Sequence, residues 1–152
     1  PGDTGARWGS GEIKVTHAEV LDEHGRADAA LHTGEPVVFR VHYEASETIE
    51  QPVFGLAIHR LDGAEVTGPN TREAEVVPDK IEGRGHVDLR VDRLMLAPGT
   101  FDLTTSIYNY TLSHPYDYWQ RCVRFDVEVG DPVAEFGVMT LGGTWVVPGA
   151  ER

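Results

Sequence analysis

Cysteine is nearly absent: Cys122 alone stands in 152 residues, which rules out an internal disulfide and suits a reducing compartment or indifference to redox. Its place in a strand pattern makes it a small apolar packing residue rather than a nucleophile. Long apolar runs are missing too. No stretch could span a bilayer, and the opening PGDTGARWGSGE has neither a basic start nor an apolar core of the secretory kind, so a soluble, unsecreted chain is expected. Positive charge is scarce, with thirteen basic against twenty-five acidic residues and a formal charge of −12. Such a field repels phosphate backbones and anionic headgroups, which excludes nucleic acid as a partner and fits a neutral ligand. The chemistry-bearing motifs HExxH, paired CxxC, GxSxG, SxxK, P-loop and GxGxxG do not occur, so no catalytic residue, metal ligand or cofactor is nominated. The seven histidines lie on separate segments and read as scattered surface residues. Asn109-Tyr110-Thr111 matches a glycosylation acceptor by three residues only.

What is present is strand chemistry. A composition of 40% hydrophobic and 25% charged residues is that of one globular domain with one core. Turn signals recur at short spacing, among them Thr33-Gly34, Asp62-Gly63, Pro98-Gly99 and Asp131-Pro132. Between them lie alternating β-branched runs. Val37, Phe39, Val41 and Tyr43 form one apolar side, as do Val87, Leu89 and Val91, then Phe101, Leu103 and Ile107, then Val123, Phe125, Val127 and Val129. Ile13 and Val15 alternate correctly, but Ala18 and Val20 continue one residue late, which predicts a bulge near Thr16-His17. Only Thr71 to Val77 offers consecutive helix formers, and Pro78 ends them within two turns. Seven or eight short strands predict an all-β, immunoglobulin-like antiparallel β-sandwich. Residues 1–11 read as a Gly-rich linker, 12–130 as the sandwich, and 131–152 as a final strand or an arm that packs elsewhere.

One strand is unusual. In PVFGLAIHR, Phe54, Leu56 and Ile58 face one way and Gly55, Ala57 and His59 the other, so the outer side is almost bare. Glycine and alanine there imply close approach to the backbone, by a ligand, a second sheet or a partner chain. The neighbouring outer faces carry Asp102, Thr104, Ser106, Tyr108 and Tyr110, and Tyr118, Gln120, Cys122 and Arg124. Flat rings beside short hydroxyls suit a neutral saccharide, whose C–H faces stack on tyrosine while its hydroxyls pair with polar side chains. Equally, Tyr and Thr are simply good strand residues. On the saccharide reading, Tyr108 and Tyr118 stack, and His59, Thr104, Ser106 and Gln120 hydrogen-bond. Trp119 falls in phase with Val123 and reads as core, although a bulge after Pro115 would turn it outward, while Asn70 holds its own turn.

The blocks GEPVVFRVHYEA, PVFGLAIHRLDGAEVTGPNT, LMLAPGTFDLTTSIYN and YDYWQRCVRFDVEV resemble, in consistent order, the C-terminal domain of the nucleotide-binding subunit of O-antigen polysaccharide ABC transporters, the Wzt type. The similarity runs from Trp8 through Val129 and fades after Asp131. It implies an immunoglobulin-like sandwich that follows a cytoplasmic ATPase domain and binds the finished end of a lipid-linked polysaccharide without catalysis. The implied partners are the glycan, a second copy in a homodimer that exchanges the last strand, and a membrane permease reached through the ATPase domain. That places the whole at the cytoplasmic side of the inner membrane. The alternatives are an interaction or dimerisation domain with no sugar site, and a sandwich-fold glycan hydrolase.

Overall fold

The computed structural model describes residues 5–131 and 137–149. Among these there is no helix. Nine strands occur in chain order: β1 Arg7–Trp8, β2 Ile13–Leu21, β3 Leu31–His32, β4 Val37–Glu50, β5 Val53–Arg60, β6 Glu65–Thr67, β7 Lys80–Val91, β8 Gly99–Tyr108 and β9 Pro115–Glu128. They form two sheets. The larger runs β1-β9-β8-β5-β6, with β3 parallel to the far end of β9, and the smaller is β2-β4-β7. The all-β sandwich expected from the turn spacing is the fold observed.

The core lies where the inner faces meet. Ile13, Val15, Ala18, Val20, Val37, Phe39 and Val41 come from the smaller sheet, and Phe54, Ile58, Phe101, Leu103, Ile107, Phe125 and Val127 from the larger. Phe125 joins the two, edge-on to Phe39 at 5.9 Å and stacked near Phe101 at 5.8 Å. Alternation explains this selection, because period-two side chains from two facing sheets interdigitate in a single layer. The register of β2 against β4 shifts between Val15 and His17, which is the bulge that the phase change demanded. Residues 71–75 are turn rather than helix, and Trp119 packs half-buried against the core.

Some assignments are corrected. Leu89 is 38% exposed and Val129 58%, because β7 is an edge strand and Val129 lies beyond the end of β9. Cys122, placed outward by simple alternation, is buried. Leu103 pairs with Val123 while Thr105 pairs with Trp119, so β9 carries extra residues here, with Arg121 at a φ of 52°. That bulge turns the Cys122 thiol inward, within 3.5 Å of the Leu103 carbonyl, and burial pushes its pKa up. Residues read as linker are also part of the sheet: Arg7 and Trp8 pair with Trp119 and Tyr118. Of the segment 131–152, residues 132–136 and 150–152 lie outside the described residues; Met139 bridges Leu96, and Leu141, Trp145 and Val146 are exposed.

Candidate functional site

The outer face of the larger sheet carries a trough. Its floor is Gly55 and Ala57 on β5, set in register against Ser106 and Thr104 on β8. Ser106 in turn pairs with Tyr118 on β9, and Tyr118 with Trp8 on β1. A single cross-strand row therefore reads Gly55, Ser106, Tyr118, Trp8. The cavity, about 270 Å³, is lined by Val53, Gly55, Ala57, Thr104, Ser106, Tyr108 and Tyr118 from the sheet, and by Glu65, Gly68, Pro69, Asn70 and Leu112 beside it. This volume lies just below the roughly 300–1,000 Å³ of sites for drug-sized ligands, which is room for about one or two sugar rings.

The bare floor has a physical cause. A Cβ at Gly55 would stand 2.6 Å from the Ser106 hydroxyl oxygen, and the segment 69–71 lies along the same strand. Leu56 N–H donates to the Pro69 carbonyl at 2.9 Å and Thr71 N–H to the Phe54 carbonyl at 2.9 Å, while the Thr71 hydroxyl accepts from Phe54 N–H at 3.0 Å. Asn70 holds the following turn, its side-chain oxygen accepting from Glu73 N–H at 2.8 Å. Close approach to the β5 backbone is thus real, made by a loop that becomes the trough's wall. The 109–114 loop adds Leu112 to the lining and is tied internally by Asn109, whose side-chain oxygen accepts from Ser113 and His114 N–H. Arg72 lies over the Tyr110 ring at 5.0 Å and links the two loops.

The aromatic rings are arranged in sequence. Trp8 stacks on Tyr118 with centroids 4.5 Å apart and planes 14° from parallel, and Tyr108 stands edge-on to Tyr118 at 6.3 Å. Burial, then the neighbouring Tyr108 and Glu65, push the Tyr118 phenol up, so it remains a neutral donor. Thr104, 2% exposed, lies at the bottom of the trough, and its hydroxyl accepts from Arg121 N–H at 3.0 Å. Deeper along the same face, buried Asp102 is neutralised by Arg124 at 2.8 and 3.1 Å and by Arg121 at 3.4 Å.

Of the residues selected from sequence, Thr104, Ser106, Tyr108 and Tyr118 come together here, and His59 and Gln120 do not. His59 sits one pair further along β5, where β6 adds a bulge, and its Nε2 is buried without a hydrogen-bond partner among the described residues. Gln120 falls in the β9 bulge, where its backbone pairs with Gly5 and Ala6. Missed were Trp8, hidden in a linker-like stretch, and the wall residues Glu65, Pro69, Asn70 and Leu112. The histidines are also less scattered than they look. His17, His42 and His86 align across the outer face of the smaller sheet, with ring centroids 5.6 Å apart. Each ring has one nitrogen near a carboxylate: His42 Nε2 lies 2.7 Å from Glu19, His86 Nδ1 3.1 Å from Asp88 and His17 Nε2 3.6 Å from Glu19. No group of three or more His, Cys, Asp or Glu side chains that could hold a metal occurs among the described residues.

A larger opening, about 810 Å³, separates β2 from β9 and is lined by core residues such as Val20, Cys122 and Phe125. It is the gap between two sheet edges. Among the described residues no strand pairs with this edge of β9 between Arg121 and Asp126.

Fold and surface together describe a β-sandwich module with an open trough on the outer face of its larger sheet. A family model for the Wzt C-terminal domain matches residues 4–141, and the chain belongs to that family. It is a C-terminal accessory domain of a polysaccharide ABC-transporter subunit rather than a catalytic domain. Among solved structures, the crystal structure of the C-terminal domain of Wzt superposes with a TM-score of 0.82 at 18% identity, covering 93% of this chain and 87% of that one. A Niemann-Pick type C2 protein from Japanese carpenter ant shares the sandwich at a TM-score of 0.54 and 8% identity, over 81% of this chain and 98% of that one. No curated protein matches in sequence. No helix among the described residues is long and apolar enough to cross a membrane.

Proposed function

We infer that this domain binds a saccharide, the end of a lipid-linked O-antigen-type polysaccharide, in the trough over Gly55 and Ala57. The observation that carries this reading is the juxtaposition of a floor without side chains, two tyrosine rings and the hydroxyls of Thr104 and Ser106 in one open cavity. A pyranose or furanose ring has C–H faces for the tyrosines and hydroxyls for the short polar groups. The domain contributes recognition, and the ATPase domain of the same subunit couples it to the permease at the cytoplasmic face of the inner membrane. No cofactor takes part.

The test is a panel of immobilised bacterial glycans probed with the isolated domain and with Gly55→Val. The wild type is expected to retain a subset of glycans and the variant to lose them about tenfold or more, because the new side chain occupies the floor beside Ser106. Binding of no glycan by a folded domain would leave the trough to a protein partner.

The arm supports a second feature of the same reading, a dimer. Leu141, Trp145 and Val146 are 87%, 91% and 89% exposed, and among the described residues β9 has a stretch of edge without a strand partner beside the gap. An arm exchanged between two copies would cover both. Deleting residues 133–152 is expected to leave the sandwich folded and shift it to monomer in analytical ultracentrifugation. An unchanged dimer, or monomer in both forms, would contradict the exchange.

A further inference from the structure

We propose that Glu65 makes the trough select its ligand by charge, admitting neutral and amine-bearing sugars and rejecting ends that carry a carboxylate or phosphate. This rests on the trough being a saccharide site. Among the described residues Glu65 is the sole charged side chain in its lining. Asp102, a buried acid of this face, is held by two arginines, whereas no cation among the described residues pairs with Glu65. Its placement is built in. β6 sets Glu65 opposite His59, and Gly68 leaves room for the carboxylate, since a Cβ there would stand 3.2 Å from Glu65 Oε2. The carboxylate also faces Tyr118 closely enough to help push its phenol up. Arg72, on the turn after Asn70, is turned onto Tyr110.

The chemistry follows from this placement. A carboxylate accepts hydrogen bonds from sugar hydroxyls and more strongly from an ammonium group, and repels an anion at the same distance. The chain's overall charge of −12 repels anions as well, but that field is diffuse and screened beyond about 10 Å at moderate salt. A local filter and a global field are therefore separable by single substitutions.

The experiment measures the wild type, Glu65→Gln and Glu73→Gln on oligosaccharides with neutral, glucosamine, glucuronate and glucose-phosphate ends. The wild type is expected to bind glucosamine-ended over glucuronate-ended chains by about tenfold, and Glu65→Gln to bring the two within about threefold while neutral chains change little. Glu73→Gln, which removes the same charge from the adjacent turn, is expected to keep the wild-type ratio. Equal shifts in both variants would assign the discrimination to the global field and overturn the proposal. So would a wild-type preference for acidic ends; loss of that preference in Arg72→Gln would move the selecting charge to the rim. If no saccharide binds any form, the saccharide reading itself fails, which is distinct from binding without discrimination.

Discussion

Asp117→Ala is expected to destabilise the domain by about 3 kcal/mol, and for a chain of this size to lower Tm by roughly 6–12 °C. Asp117 is 3% exposed and sits at the start of β9, yet it fastens three strands. One carboxylate oxygen accepts from Val15 N–H at 2.8 Å and from Arg7 Nη2 at 2.8 Å, and the other from Arg7 Nε at 3.0 Å. Arg7 returns a bond to the Val15 carbonyl at 2.8 Å and lies 3.9 Å over the Trp119 ring. Val15 N–H points to Asp117 because the β2 bulge begins there. Alanine would leave that donor buried and unpaired, and a guanidinium without its counter-charge. Asp117→Asn keeps an acceptor for Val15 and loses the charge, so its cost is intermediate. Urea melts of the three forms check the ranking, and an Asp117→Ala midpoint equal to wild type would contradict it.

Loss of both trough tyrosines is expected to weaken glycan binding more than tenfold, and each single alanine several-fold. A stacked ring contributes roughly 0.5–1.5 kcal/mol beyond its area. The two are not equivalent. Tyr118 carries Trp8 on one face, so Tyr118→Ala also loosens the ring that ends the aromatic row, whereas Tyr118→Phe keeps the stack and removes only the hydroxyl. Tyr108 and Tyr118 are half-buried on the outer face, away from Ile107 and Phe125. Melting transitions are therefore expected to stay close to wild type. Calorimetric titration of each variant with a glycan retained by the panel gives the comparison, and a folded double variant that binds normally would contradict the assignment.

How far sequence alone reached differs from element to element, for physical reasons. The β2 bulge was legible because apolar residues sit in one phase before it and in the other after it. The β9 bulge was not, because Trp119, Cys122 and Val123 supply apolar side chains to both phases, and alternation then carries no record of Arg121 in a left-handed conformation. The trough floor could be read from Gly55 and Ala57, since bare positions on one face of a strand are a period-two signal. Its walls could not. Glu65, Asn70 and Leu112 arrive through loop hydrogen bonds such as Leu56 to Pro69, which have no periodicity. Trp8 was hidden by its glycine-rich surroundings, and what places it in the sheet is a contact with Asp117 made 110 positions away from Arg7.

The central claim is a location, and mapping backbone amide shifts by NMR on addition of a retained glycan tests it most directly. Shifts concentrated at Gly55, Ala57, Asn70, Ser106 and Tyr118 are the predicted result. Shifts confined to the opposite sheet, around Arg40, His42 and His86, would contradict it.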